Sequence, residues 1–566
     1  MEKAIAVDCL LIGHNEMDFR EYEKSIRNMG MNSGAYRDLD LNFIIYNNRP
    51  YTLSEMFNIF YYQHHENNTD AEPFFHVAES FSVAIAYLGT YLDRNGYTFD
   101  YVNDFQYSKT RLAEKLQKGN ILVTAIVTTL YVSVLPIIEI IEFIKNYNRT
   151  TKIVVGGPFV STKARTLSPE ELEYLFQTTI GADFYVNSSQ GETALIKIIN
   201  AIKNNLSLEE VPNIYYKVGD TFKATQVLRE NNRLSGNMVN WNLFKDSVHR
   251  YANIRTSISC LFSCSFCGFP RHAGQYQVAP VEAIGTELEK LARIGTVESV
   301  HFIDDTFNIP VERFKEILRM IVKNKFAFKW HSYFRCQFAD REMVELMKMS
   351  GCEGVFLGLE SGNDQILENM NKAVEVEKYL RGIELLKEYG IVTFGNFIIG
   401  FPGETEETVK ETVNFIETGG LDFYRAQLWY CEPITPIFKK KDHYQIKGES
   451  FEWSHATMNA QKACDLIENI FLKIENPTWI PQYNFDFDSV WHLVHRGMSI
   501  PHVRNLLKCF NLAVKEKLIA SSRREVSYEA LKQLKNACSN SKNNKSEICD
   551  ADENTFINPG EADFEF

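Results

Sequence analysis

Apolar runs of strand length alternate with amphipathic stretches over about the first 225 residues, and again from Asn253 to about Phe438. In the first region Ala6 to Ile12, Phe99 to Asn103, Ile121 to Val127, Lys152 to Val155 and Phe184 to Val186 read as strands. His76 to Asn95, Leu135 to Tyr147 and Thr193 to Asn204 repeat apolar residues at helical spacing. Strand and helix in alternation predict a parallel sheet covered by helices, a doubly wound α/β domain of Rossmann type. A segment from about 14–75, rich in Asn, Tyr and Phe, is inserted after the first strand without a fold legible in its pattern. Residues 206–250 read as a small strand pair, Asn213 to Lys217 and Thr221 to Thr225, followed by a linker.

The second region predicts strands at Ile254 to Ser257, Ser299 to Ile303, Lys329 to Phe334, Gly354 to Leu357, Thr393 to Ile399 and Phe423 to Leu428, with helices such as Val281 to Ile294 and Pro310 to Asn324 between them. Six βα units make a partial (β/α)6 barrel rather than a closed eight, and an open side leaves room for a large cofactor or another domain. Residues 451–535 read as mainly helical, and from about residue 536 the chain turns polar and acidic, the composition of a disordered tail. The expected division is therefore 1–225, a linker at 226–250, a barrel at 251–450, a helical region at 451–535 and a tail at 536–566.

The net charge of −13 argues against a protein that depends on a basic surface to hold nucleic acid. The opening apolar stretch is short and interrupted by Asp8, so it reads as neither a secretory signal nor a membrane anchor. The most apolar window, Ile121 to Ile144, contains Pro136, Glu139 and Glu142 and divides into a strand and an amphipathic helix. A cytoplasmic protein with no membrane partner is expected.

Three of the 11 cysteines, Cys260, Cys264 and Cys267, form a CxxxCxxC run just after a predicted strand. Such a run can hold three irons of a four-iron cluster and leave the fourth open to a small molecule. Zinc is the alternative, although no second C-x-x-C pair follows. The other cysteines are scattered singly and read as small buried hydrophobes or incidental thiols, outside any disulfide framework.

With Phe266 before its last Cys, the run matches the CxxxCxΦC motif of radical S-adenosylmethionine (SAM) enzymes. Phe302-Ile-Asp-Asp-Thr-Phe307, Gly358-Leu-Glu-Ser-Gly362 and Gly400-Phe-Pro-Gly-Glu-Thr405 fall at predicted strand ends, where that family places its SAM contacts. The first 225 or so residues resemble a cobalamin-binding domain, through Val154-Val-Gly-Gly-Pro158 and Asn187-Ser-Ser-Gln-Gly-Glu192. Together the two regions resemble cobalamin-dependent radical SAM enzymes. Within that group, Asp8 to Phe19, Met31 to Asp38 and Trp453 to Met458 resemble the P-methyltransferases of phosphinothricin-type biosynthesis.

The resemblance implies a [4Fe–4S] cluster on Cys260, Cys264 and Cys267, with SAM contacted by Phe266, Gly268, Asp304, Glu360, Ser361 and Gly400. It implies cobalamin near Thr128, Gly156, Gly157, Gln190, Gly191 and Glu192. Asp304 and Asp305 either face the site or cap the next helix, and Arg335 either holds an anionic substrate or makes a structural ion pair. The D-x-H-x-x-G motif of many cobalamin domains is absent, Gly13-His-Asn-Glu16 standing in its place. His14, His64, His65 and His76 read as structural or surface histidines, so cobalamin is expected without a protein imidazole on cobalt. The implied reaction is methyl transfer to an unactivated centre, a P–H phosphinate or a carbon of a natural product or peptide, with flavodoxin or ferredoxin as reductant. The alternative is a non-methylating rearrangement or oxidation.

Overall fold

The structure, a computed structural model, describes residues 6–64, 75–76, 79–129, 131, 133–520 and 525–539. Its first sheet runs in the order Phe99–Asp104, Ala6–His14, Asn120–Val127, Lys152–Gly156, Phe184–Val186, Ile214–Val218, Thr221–Ala224. The first five strands are parallel and the last two antiparallel. In chain order the parallel part reads 2-1-3-4-5, a flavodoxin-like winding whose order reverses between Ala6–His14 and Asn120–Val127, where such sheets open a crevice at their carboxyl edge.

The helix expected from His76 begins only at Val83 and ends at Arg94. Ser82 stops it on the N-terminal side: its hydroxyl accepts from Ile85 N–H, and its own N–H donates to Asn103 Oδ1 at 2.7 Å. Phe81, just before the cap, bridges to Ala252 at the edge of the second sheet.

That second sheet is entirely parallel and in chain order: Tyr251–Ile254, Ser299–Phe302, Lys329–Phe334, Cys352–Glu360, Val392–Ile399, Phe423–Leu428, Thr478–Trp479. Two departures from the sequence reading have physical causes. The first strand ends at Ile254 rather than Ser257, because the buried Asp304 carboxylate accepts the N–H groups of Thr256 and Ser257, each at 2.7 Å, and draws the chain off the sheet. Ser257–Ile258 then pairs antiparallel with Gln277–Val278. A seventh strand, Thr478–Trp479, comes from the region read as helical. Trp479 packs on Tyr424 at 5.3 Å and under the Arg425 guanidinium at 4.5 Å, contacts that no local pattern announces.

The 14–75 insertion begins as two helices, Phe19–Asn28 and Gly34–Asp40, a hairpin and the helix Leu53–His64. It grips the barrel edge and the C-terminal helices. Buried Arg425 donates to Asp38 at 3.2 Å and Asn42 at 3.3 Å. Arg37 pairs with Asp465 and Glu468, each at 2.7 Å, and Lys517 reaches Asp40 at 3.0 Å. One continuous apolar core joins the inner layers of both sheets, and a second lies under Leu112, Ile137, Ile141 and Phe159 on the far face of the first. Among the described residues no helix is long and apolar enough to cross a membrane. Nearly all of the tail, 540–566, lies outside the described residues, as does His65.

Candidate functional site

The three cysteines sit on a loop stapled to its surroundings by backbone. Cys267 N–H donates to Cys264 O at 3.1 Å, Ser265 N–H to Met370 O at 2.8 Å, and Ile437 N–H to Ser265 O at 2.9 Å. Cys264 is buried while Cys260 and Cys267 are half-buried, and all three are free thiols. Seven other described cysteines are free and buried, as small hydrophobes are. Arg335 lies against the loop: Nη2 is 3.3 Å from Cys264 Sγ, and the guanidinium stacks 3.5 Å over the Phe262 ring. Burial pushes the Cys267 thiol up to about 12 and raises Cys260. A bound metal reverses that preference, since it ligates the thiolate.

Around the loop stand the expected SAM contacts. Phe266 meets Phe401 edge-on at 6.4 Å. A Cβ at Gly268 would stand 2.8 Å from the end of the Ile434 side chain, so this part of the loop packs closely on Ile434. Asp304 takes the structural use: Thr256 N–H, Ser257 N–H and the Thr256 hydroxyl all bond to it. Asp305 carries its charge near Cys260 and Cys267, and desolvation by the surrounding protein, followed by the Asp304 charge, pushes it up to about 7. Glu360, at positive φ (+69°) on its strand end, pairs with Lys372 Nζ at 3.3 Å. Ser361 is fully buried, 3.2 Å from Thr412 Oγ1 and accepting from Asn363 N–H at 3.2 Å, so its hydroxyl is held within the protein. Gly400 (φ +91°) gives its N–H to Glu404 Oε2 at 2.5 Å and its carbonyl faces His455 Nε2 at 3.0 Å.

In the first domain the residues expected near cobalamin also bond within the protein. Gln190 makes a reciprocal pair with Asn232, Nε2 to O at 2.8 Å and Oε1 from N–H at 2.9 Å. Glu192 is buried and accepts from Asn232 Nδ2 at 3.3 Å, so both residues pin the linker. Thr128 Oγ1 donates to Gly156 O at 2.9 Å, and a side chain at Gly157 (φ +116°) would strike that hydroxyl at 2.8 Å. Gly191 (φ +83°) opens the helix Glu192–Asn204. His14 stacks on Tyr131 at 5.8 Å and burial pushes it down to about 4.

The two carboxyl edges meet. Arg165 Nη1 donates to Arg271 O at 2.8 Å and Thr162 Oγ1 lies 3.3 Å from His272 Nε2, which joins the helix after Gly157 to the turn after the cysteines. Beside these contacts a cleft of about 540 Å³ is lined by Arg165, Thr166, Arg271, Pro433 and Ile434.

Residues 254–416 match the family model of the radical SAM superfamily. The chain carries a radical SAM domain. An uncharacterized methyltransferase of Pyrococcus horikoshii is 25% identical over 302 residues, covering 52% of this chain and 64% of that protein. The chain thus spans just under two thirds of that relative. Among solved structures, the radical SAM methyltransferase TsrM of Kitasatospora setae, with cobalamin and a [4Fe–4S] cluster bound, matches with a TM-score of 0.53 and 21% identity over 63% of this chain and 74% of that one. The cobalamin-dependent SAM radical enzyme OxsB matches with a TM-score of 0.56 and 14% identity over 86% of this chain and 84% of that one. At these identities the likeness is one of fold.

A radical SAM domain implies a four-iron cluster and SAM, and the donor set fits: three thiols on one stapled loop with a guanidinium beside the buried one. In the first domain Glu16 Oε2, Asp104 Oδ2 and His76 Nδ1, close to its carboxyl edge, are buried with no hydrogen-bond partner among the described residues. Burial pushes Glu16 up to about 8 and Asp104 up to about 6. Lys372 and Glu404 escaped sequence reasoning. Lys372 lies in no recognisable motif, and Glu404, inside a quoted one, looks like an ordinary surface residue until the fold buries it.

Proposed function

We propose that this protein is a cobalamin-dependent radical SAM methyltransferase acting on an unactivated centre, a P–H phosphinate or a carbon of a natural product or peptide. The observation that carries this reading is the meeting of two carboxyl edges. A three-thiol loop at the mouth of a parallel barrel faces the crevice of a flavodoxin-order domain through the contacts of Arg165 and Thr162.

Cys260, Cys264 and Cys267 would hold the cluster, with Arg335 offsetting thiolate charge. The backbone of Phe266 and Gly268 would face adenine. Asp305 rather than Asp304 is the free carboxylate for the SAM amino group, and Glu360 acts with Lys372 at the neighbouring strand end. Cobalamin would rest on the backbone of Gly156, Gly157 and the 187–191 turn. When bound, these groups supply one-electron cleavage of SAM and a methyl group carried on cobalt. The chain's own part is to orient them, to exclude water from the barrel and to keep the neutral His14 imidazole stacked on Tyr131. Flavodoxin or ferredoxin would deliver the electron in the cytoplasm.

The test is an anaerobic product balance of reduced, cluster-loaded protein given SAM, hydroxocobalamin and a panel of P–H phosphinates and peptides. Matched 5′-deoxyadenosine and S-adenosylhomocysteine, with a product heavier by one methyl, support the reading and name the acceptor. 5′-Deoxyadenosine alone, unaffected by leaving out cobalamin, refutes it.

A further inference from the structure

Strands Ser299–Phe302 and Lys329–Phe334 pair with His301 opposite His331. Strand alternation turns both imidazoles to one face of the sheet, away from the helix-covered face where Phe302 stacks on Phe307 and Trp330 meets Phe314. The two imidazoles stack at 4.6 Å. Onto this inner face the chain returns from more than 150 residues downstream, |i−j| being 157 between His331 and Asp488. Helix Phe487–His495, started by the Asp486/Ser489 capping box, fixes Asp488 in its first turn. Asp488 Oδ2 lies 2.9 Å from His301 Nδ1, and Oδ1 lies 3.1 Å from His331 Nε2.

We propose that His301, His331 and Asp488 form a binding site for a divalent transition-metal ion of the zinc type on the inner face of the barrel. One ligand atom from each residue lies within 4.8 Å of the others. Two imidazole nitrogens and a carboxylate oxygen are a donor set for such ions, and ligands about 2.0–2.1 Å from a tetrahedral ion stand roughly 3.3 Å apart. Asp488 meets His301 through Oδ2 and His331 through Oδ1, so an ion on one oxygen draws the two imidazoles together by side-chain rotation within the 4.8 Å cluster. The outer contacts suit a ligand pair as well. His331 Nδ1 is 3.5 Å from Ser299 Oγ, which leaves Nε2 for the metal, and its ring packs on Trp491 at 5.8 Å. The triad is not fully sealed. The imidazole side chains are 9% and 3% exposed, but Asp488 is 24% exposed, and Tyr333, 5.4 Å from the His301 ring on the same face, is 36% exposed. The open coordination positions therefore border free space inside the barrel.

The ion would also answer a charge question, and here the inference rests on the proposed methyl transfer. Asp305, Asp486 and Asp488 all place negative charge within electrostatic reach of Tyr333, while the cations near the cluster are engaged: Arg335 with Cys264 and Lys372 O, Lys372 with Gly358 O and Glu360. A metal on the triad would supply the positive charge that an anionic acceptor such as a phosphinate needs.

To test it, cluster-loaded protein is equilibrated with zinc, dialysed anaerobically against metal-free buffer and analysed for zinc and iron together. About one zinc per chain is expected, with nitrogen and oxygen but no sulfur ligands by X-ray absorption. Zinc affinity should fall at least about tenfold in Asp488→Asn and His301→Ala, and about tenfold in Ser299→Ala, with iron unchanged. Asp488→Asn preserves size and the helix cap, so it serves if a histidine variant fails to fold. No retained zinc, sulfur ligation, or equal zinc in wild type and variants overturns the site and leaves a plain imidazole–carboxylate hydrogen-bond network. Because the readout is zinc, failure of methyl transfer does not bear on it.

Discussion

Glu404 is fully buried under the Gly400 turn, with Oε2 taking the Gly400 N–H and Oε1 without a partner. Burial pushes its carboxyl up from 4.5 to about 8, against the backbone N–H groups of Gly400 and Phe401, which favour the charged form. The sign follows from proton counting. Between the unfolded value near 4.5 and the folded value of about 8 the native chain holds a proton that the unfolded chain has released, so this group's contribution to stability falls as pH rises and levels off above about 8. At ~1.4 kcal/mol for each unit, the loss from about pH 6 to about pH 8.5 comes to about 2.5 kcal/mol, an order-of-magnitude figure. Glu404→Gln keeps an acceptor for Gly400 and abolishes the titration. Thermal unfolding of both proteins across this range should show the variant's advantage over wild type widening with pH, since the other titrating groups cancel in the difference. A difference that stays flat in pH would refute the reasoning that burial keeps Glu404 protonated.

Cys264→Ala should abolish the visible cluster absorbance and lower bound iron to background after reconstitution, with all SAM cleavage lost; retention of iron at wild-type level contradicts the ligand assignment. Arg335→Met removes a cation 3.3 Å from Cys264 Sγ, so the cluster's reduction potential should fall by tens of millivolts in a redox titration, about 59 mV for each ~1.4 kcal/mol of lost charge interaction. Gly400→Ala places a methyl 2.4 Å from Trp453 at φ +91°, and should lower stability by about 1–3 kcal/mol in chemical denaturation. Asp305→Asn should raise the Michaelis constant for SAM while leaving iron content intact, whereas Asp304→Asn, which disturbs the turn at Thr256 and Ser257, should cost stability as well.

Much of the fold was legible because strands and helices here are long, periodic and punctuated. Leu135–Tyr147, Lys329–Phe334, Val281–Ile294 and Phe423–Leu428 fall where the apolar pattern places them. The cysteine spacing was legible for a different reason: three thiols within eight residues can converge on one ion group whatever the surrounding fold. Roles were less so. Motif position put Asp304, Ser361, Gln190 and Glu192 in the segments that follow strands, but which neighbour claims each side chain is a tertiary matter. Thr256, Thr412 and Asn232, all distant in sequence, claim them.

The sequence by itself determined the two α/β repeats, their order and the cysteine loop, since these depend on local periodicity and short spacing. Only the tertiary structure decided that the 14–75 insertion clamps the C-terminal helices through Arg37, Asp38 and Asp40. It alone decided that Trp479 extends the barrel by a seventh strand, that Glu404 is buried, and that Asp488 meets His301 and His331. The physical reason is the same throughout. Backbone periodicity and loop spacing are properties of neighbours in the chain, whereas burial, charge and the partner of a polar side chain are set by whatever packing brings against it.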